Sequence, residues 1–322
     1  MRDYIIRRLL LMIPTLLVVI IVVFLLVRFI PGDIVDLMAM QMVHSSPGGE
    51  QIITPDTIRR ALGMDVPIHV QFGQWITGIF THGDFGTSLW TDRPVMEEIG
   101  RRFPVTLELG LLTFILAVVI GVSVGIVGAV RQDSWIDHLT RTFSILGLAT
   151  PNFWVATLVI VFPAVWWGWS PSMTVIPFSE NPVGNLKQFL LPAAILGWSM
   201  SAVTVRYLRT TLLEVLRQDY VRTAWSKGLR ERTVVFRHAL KNAFLPVITI
   251  LFGQAFIMIG GTVIIEQIFN LPGMGRLFID AIFRRDYPYV QGLNLIFALI
   301  GLLMILANDL TYAWLDPRVR YK

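Results

Sequence analysis

The sequence of 322 residues contains no cysteine, so disulfides, thiolate metal sites and thiol nucleophiles are excluded outright. Charge is scarce as well. Asp, Glu, Lys and Arg together make up 15% of the chain, against about a quarter in an ordinary soluble domain. A Walker-type glycine loop is missing, and no serine, histidine and aspartate stand at a spacing that suggests a nucleophile with its base. The five histidines (His44, His69, His82, His138 and His238) fall in loops or on one side of the chain, without helical pairing to acids, which argues against a buried metal site. Nothing here reads as an enzyme.

What is present is apolar. Hydrophobic residues account for 54% of the chain and the mean hydropathy is +0.64. That is more apolar surface than one water-soluble core buries, whereas lipid can cover it. The net charge of +5 fits cytoplasmic loops facing an anionic leaflet better than it fits nucleic acid.

Six apolar stretches are long enough to cross a bilayer, at about 9–30, 104–130, 139–168, 188–208, 244–269 and 291–315. The first follows Arg2, Arg7 and Arg8 and ends at Arg28-Phe29-Ile30-Pro31. It is longer than a signal-peptide core and lacks a cleavage site, so it reads as a retained span. The third is interrupted by Pro151. Small residues at helix-packing spacing, Gly121, Gly125 and Gly128, read as contact points between helices.

The positive-inside rule places the N-terminus, the 131–141 turn, the 206–241 segment and the basic tail on the cytoplasmic side. The long 31–103 loop is then extracytoplasmic. It looks partly folded: a short helix over 54–63, an amphipathic segment with Val70, Trp75 and Ile79, and a turn at Gly83-Asp84-Phe85-Gly86.

An ion-driven transporter needs ionisable groups near the midplane of the membrane. In this chain Arg28, Glu108, Glu266 and Asp309 all lie near span ends, where each is expected to reach the interface. A pore with no engine implies an engine elsewhere, and attention turns to the cytoplasmic segment between the fourth and fifth spans. There Leu212, Val215, Leu216, Tyr220 and Ala224 form a stripe at helical spacing, Gly228 breaks it, and Val234, Val235, His238 and Leu240 suggest a second short helix. Such a segment can lie on lipid, and it can equally dock a cytoplasmic partner.

That segment resembles the coupling loop of ABC-transporter permeases, whose pattern is Glu-Ala-Ala, three residues, then Gly. Here the positions are Arg222, Thr223 and Ala224 with Gly228 in place, so the acid and the first alanine are replaced. Arg-Thr-Ala-x-x-Lys-Gly-Leu is similar to the loop of the peptide and nickel branch, as is His238-Ala239-Leu240-Lys241-Asn242-Ala243-Phe244-Leu245-Pro246. The likeness runs through Ile30-Pro31-Gly32-Asp33, Gly83-Asp84-Phe85-Gly86-Thr87-Ser88, Thr106-Leu107-Glu108-Leu109, Pro151-Asn152-Phe153-Trp154, Leu271-Pro272-Gly273-Met274-Gly275 and Arg285-Asp286-Tyr287-Pro288-Tyr289-Val290-Gln291-Gly292. The chain is identified as a member of the dipeptide/oligopeptide (and nickel) permease family of ABC transporters, first-subunit type.

The resemblance implies an all-α integral membrane fold of about six transmembrane helices, the ABC type-1 permease fold. It implies an N-terminal part, 1–103, and a transmembrane domain, 104–316, with a coupling loop at about 211–243. The ATPase-coupling residues are then Arg222, Thr223, Ala224, Lys227, Gly228 and Leu229, and Phe153, Trp154, Gln254 and Met258 are candidates for lining the pathway, although simple packing accounts for each of these four alone. The implied partners are a second, similar permease, two cytosolic ATPases and an extracytoplasmic solute-binding protein, in a prokaryotic cell membrane with both termini cytoplasmic. No cofactor is expected on this chain; ATP and magnesium belong to the ATPases. Peptides are the expected solutes, with nickel or oligosaccharides, or a secondary transporter subunit, as alternatives.

Overall fold

The computed structural model describes residues 2–29, 65–172 and 174–315, with isolated positions at 35, 56 and 59. The Ile30–Asp33 string, most of the 54–63 helix and the basic tail lie outside the described residues. The described chain is nearly all helix, with an isolated bridge between Thr87 and Pro94. It divides into two compact units, one of residues 1–9, 104–275 and 301–322, the other of residues 10–103 and 276–300.

Among the described residues five helices or continuous helical stretches are long and apolar enough to cross a membrane: within α1 (Arg2–Leu26), α3 (Val95–Val130), α6 (Pro182–Leu216), Glu231–Ile268 and α9 (Tyr287–Leu315). The third expected span, at about 139–168, is not one straight rod. It is a pair, α4 (Trp135–Ala149) and α5 (Asn152–Trp167), bent by 93° at the break. Each half has 15 or 16 residues, so it reaches only about 24 Å, short of a ~30 Å hydrocarbon core. The bend follows from Pro151. It removes an N–H from the ladder and its ring pushes Thr150 out of the helical region, to φ −96° and ψ 122°.

In the first unit α6 is the central element. Its buried positions Phe189, Ala193, Leu196, Leu208 and Leu212 recur at helical spacing, and Ser201, Ala202 and Thr204 continue the same buried face. Gly121 of α3 faces Thr204, and a Cβ there would overlap the threonine side chain, so the two helices approach closely because the residue is small. α4 is held to α6 by charge. Asp137, with no exposed surface, accepts from Arg209 Nε and Nη2 at 2.6 and 2.7 Å and from Arg141 Nη2 at 2.5 Å. This two-pronged geometry is the strong form of a carboxylate–guanidinium pair. Ser134, the N-cap of α4, accepts from Asp137 N.

Glu266 departs from its expected place at the interface. It is fully buried in the same unit. Thr106 Oγ1 donates to Glu266 Oε1 at 2.7 Å and accepts from Met274 N at 2.8 Å. A side chain at Gly273 would collide with the carboxylate, so the glycine leaves the room in which the acid sits. Asp309 is likewise engaged, in an ion pair with Arg8 at 2.9 Å.

In the second unit α2 (Ile68–His82) packs Phe72 and Trp75 on Phe24, with ring centroids 5.0 and 5.6 Å apart. Arg28 lies 3.6 Å over the Phe24 ring and donates to Gln71 Oε1. Gly83 ends α2 in the left-handed conformation, and Gly86 N donates to Asp84 Oδ1 at 2.8 Å, which makes the turn expected there. Ser88 Oγ donates to buried Asp286 at 2.5 Å, and Leu89 N donates to the same carboxyl. Burial nevertheless pushes the Asp286 carboxyl above the usual range, with these two hydrogen bonds opposing it.

Candidate functional site

α7 (Asp219–Ser226) comes after α6 and the Arg217–Gln218 turn. Its first turn carries Asp219, which complements the helix dipole. Eight residues form barely two turns, too few to be stable alone, so packing must hold the helix. Val221 and Ala224, three residues apart, provide it. They bury against Ala129, Leu212, Val234, Ala239 and Ala243, with Leu229 half-buried beside them.

The other face is bare. Tyr220, Arg222, Thr223, Trp225, Ser226 and Lys227 are all exposed. Arg222 lies 3.6 Å from Asp219, but both side chains are open to solvent, so that pair contributes little and leaves the guanidinium free to meet a partner. Gly228 closes the helix, its N–H bonding to Trp225 O at 2.9 Å, with φ +73°. Nothing lies within 4 Å of where its Cβ would be. The demand for glycine here is therefore the backbone angle and not the space.

The segment returns through Glu231–Thr233 and a π-helical turn, Val234–Ala239, into α8 (Leu240–Ile268). Side-chain hydrogen bonds tie the loop and its flanks together. Asn242 Nδ2 donates to Tyr220 OH at 2.7 Å, joining α7 to α8. Thr211 Oγ1 donates to Ala243 O at 3.0 Å, joining α6 to α8. Short π stretches recur at functional positions because they widen one turn and redirect the next.

Of the expected coupling residues, Arg222, Thr223, Lys227 and Gly228 share the exposed surface, whereas Ala224 and Leu229 point into the bundle and anchor it. Tyr220, Trp225 and Ser226 belong to the exposed face too. The sequence pattern puts Tyr220 in the apolar stripe with Ala224, but the structure exposes it and buries its neighbour Val221 instead. The four pathway candidates separate into two pairs. Phe153 and Trp154 are half-exposed in the first turn of α5. Gln254 is buried on α8 with Nε2 3.4 Å from Thr204 Oγ1 of α6 and its Oε1 without a partner, and Met258 reaches toward Gly110 of α3. In this conformation Gln254 faces a neighbouring helix. Among the described residues no group of three or more histidine, aspartate or glutamate side chains converges to hold a metal ion.

Residues 117–321 match the family described as the binding-protein-dependent transport system inner membrane component, and residues 1–110 match the N-terminal family of the same systems. The chain belongs to this family of transport permeases. It is 40% identical over 322 residues to the "putative peptide transport system permease protein" of Brucella abortus (strain 2308), covering all of both chains. It is 39% identical, again over the whole of both chains, to the glutathione transport system permease protein GsiC of Salmonella paratyphi A. The structure also resembles a chain of the inward-facing MetNI methionine ABC transporter, with a TM-score of 0.52, 14% identity, and coverage of 69% of this chain and 97% of that one. That likeness concerns the fold. As a member of the permease family the chain is a multi-pass membrane protein whose work is transport, and its fold is the type-1 permease fold.

Proposed function

We propose that the chain forms half of the translocation pathway of an ATP-driven importer for short peptides, glutathione-like peptides included. Its partners are a second, similar permease, two cytosolic ATPases that bind ATP and magnesium, and an extracytoplasmic solute-binding protein. The reading is carried by α7: an anchored helix, two residues plugged into the bundle, with a bare face of basic, aromatic and hydroxyl side chains ending in a left-handed glycine. A helix resting only on lipid would present its apolar face outward, and here the apolar face is turned inward. The full-length likeness to peptide and glutathione permeases supports the solute class.

In operation the ATPase pair closes on ATP and moves α7. The displacement passes to α8 through Tyr220–Asn242 and through the buried cluster to α6, which tilts the membrane helices between inward and outward access. Arg222, Thr223, Lys227 and Gly228 contact the ATPase; Ala224 and Leu229 transmit the movement. The α7 side and both termini face the cytoplasm, and the long loop of about 31–103 faces the other side, where the solute-binding protein docks.

The experiment is reconstitution of the purified complex in liposomes. ATPase subunits and a second permease are expected to copurify with the chain. Uptake of a labelled short peptide should require internal ATP and the external binding protein. Uptake by the isolated chain alone, or uptake driven by an ion gradient without ATP, contradicts the proposal. Uptake of nickel or an oligosaccharide in place of peptide contradicts the solute class alone.

A further inference from the structure

The later part of α4, from Thr140 to Leu148, and the C-terminal third of α6 enclose a cleft of about 230 Å3 that the transport reading does not use. Three arginines line it, Arg141, Arg206 and Arg209, and its wall is apolar, from Ile145 and Leu148 of α4 and Val205 of α6. The arginines are not equivalent. Arg209 is fixed by its two bonds to Asp137. Arg141 gives one end of its guanidinium to Asp137 and Asp133, but its Nε is buried without an acceptor. Arg206 is exposed at the rim and, among the described residues, takes part in no ion pair.

The buried carboxylate therefore orders two guanidinium groups without using up the positive charge of the cleft. Among the described residues Asp137 is the acid that the lining arginines engage directly, joined only by the exposed Asp133. An anion is what this arrangement lacks. The wall beyond it asks for hydrocarbon: Ile145 and Leu148 are exposed, as are Leu139 and Trp135 on the same helix, and a polar anion alone would leave them bare. A ligand with an anionic head and an apolar tail meets both demands, and a membrane supplies one. Basic pockets between transmembrane helices on the cytoplasmic side are places where anionic headgroups bind, and a tryptophan at the helix end marks headgroup level.

The geometry points to a site for one anionic phospholipid, its phosphate held between Arg206 and the Arg141 Nε edge and its acyl chain laid along Ile145 and Leu148. The lipid braces α4 against α6. This site is separate from the coupling face of α7 and stands whether or not the solute is a peptide.

The test is native mass spectrometry of the purified transporter complex released from nanodiscs of phosphatidylcholine mixed with phosphatidylglycerol, comparing the parent chain with variants. The parent should retain one more phosphatidylglycerol than Arg206→Glu does, and Arg206→Gln should bind it roughly fivefold more weakly, as expected for loss of one surface arginine. Ile145→Trp, which fills the cleft with apolar bulk and leaves every charge in place, should also lose that lipid. Arg131→Gln, a basic residue of the turn before α4 and outside the cleft, should keep it. Equal retention in the parent, Arg206→Glu and Ile145→Trp overturns the site. So does displacement of the lipid by millimolar inorganic phosphate, which marks a free-anion site instead, or retention of phosphatidylcholine as readily as phosphatidylglycerol.

Discussion

The amide of Asn242 donates to the hydroxyl of Tyr220 at 2.7 Å across twenty-two residues of chain, the direct polar link between α7 and the first turn of α8. Tyr220 is also 3.4 Å from His238 O, so its hydroxyl bridges the π-helical turn to α8. In the proposed mechanism this bond carries movement from the ATPase side into the membrane.

Tyr220→Phe keeps the ring and removes the bond. A partly exposed hydrogen bond of this kind contributes about 0.5–1.5 kcal/mol, too little to unfold the loop. Membrane level and ATPase copurification should stay normal while peptide taken up per ATP hydrolysed falls several-fold. Uptake per ATP equal to the parent would remove this bond from the account.

Glu266 gives a second test, of packing instead of coupling. Gly273→Ala places a methyl group against the buried carboxylate. Overpacking of this type costs about 1–3 kcal/mol, so the thermal midpoint of the purified complex should drop by several degrees. Glu266→Gln, which keeps an acceptor for Thr106, should drop it less. An unchanged midpoint for Gly273→Ala would show that the carboxylate is free to move aside.

What the sequence made legible was whatever a local pattern carries. Five of the six spans follow from unbroken apolar runs, the α2 turn from Gly83 and Asp84, and the burial of Leu212 and Ala224 from the apolar stripe, although Tyr220 of that stripe is exposed and Val221 takes the buried place. Pro151 marked a break without giving its angle, because the 93° bend depends on what α4 and α5 each pack against. Contacts distant in the chain left no trace. Thr106 is 160 residues from Glu266, and Arg209 is 72 residues from Asp137, so a buried acid read as one reaching for the interface. The π-helical turn is similarly hidden, since nothing in Val234–Ala239 distinguishes it from an ordinary helix. At Gly228 the residue type indicated a bend, but only the structure separates an angular demand from a steric one.

Orientation is tested by cysteine labelling, which is clean because the native chain has no cysteine. Thr91 and Ser226 are both exposed. In intact cells Thr91→Cys should react with a membrane-impermeant maleimide, and Ser226→Cys should react only after the membrane is opened. The reverse pattern would turn the proposed topology over.

The central claim is that α7 couples ATP hydrolysis to transport, and Gly228 tests it most directly. Its φ of +73° costs a residue with a Cβ about 1–2 kcal/mol, more for a β-branched side chain and less for asparagine. The decisive measurement is peptide uptake per ATP hydrolysed, together with membrane level and ATPase copurification, on one preparation each of the parent, Gly228→Asn and Gly228→Val. The account predicts that Gly228→Val inserts and assembles with the second permease at normal level, yet loses its ATPases or at least tenfold in coupled uptake, with Gly228→Asn near the parent. Normal values of all three quantities in Gly228→Val would contradict it.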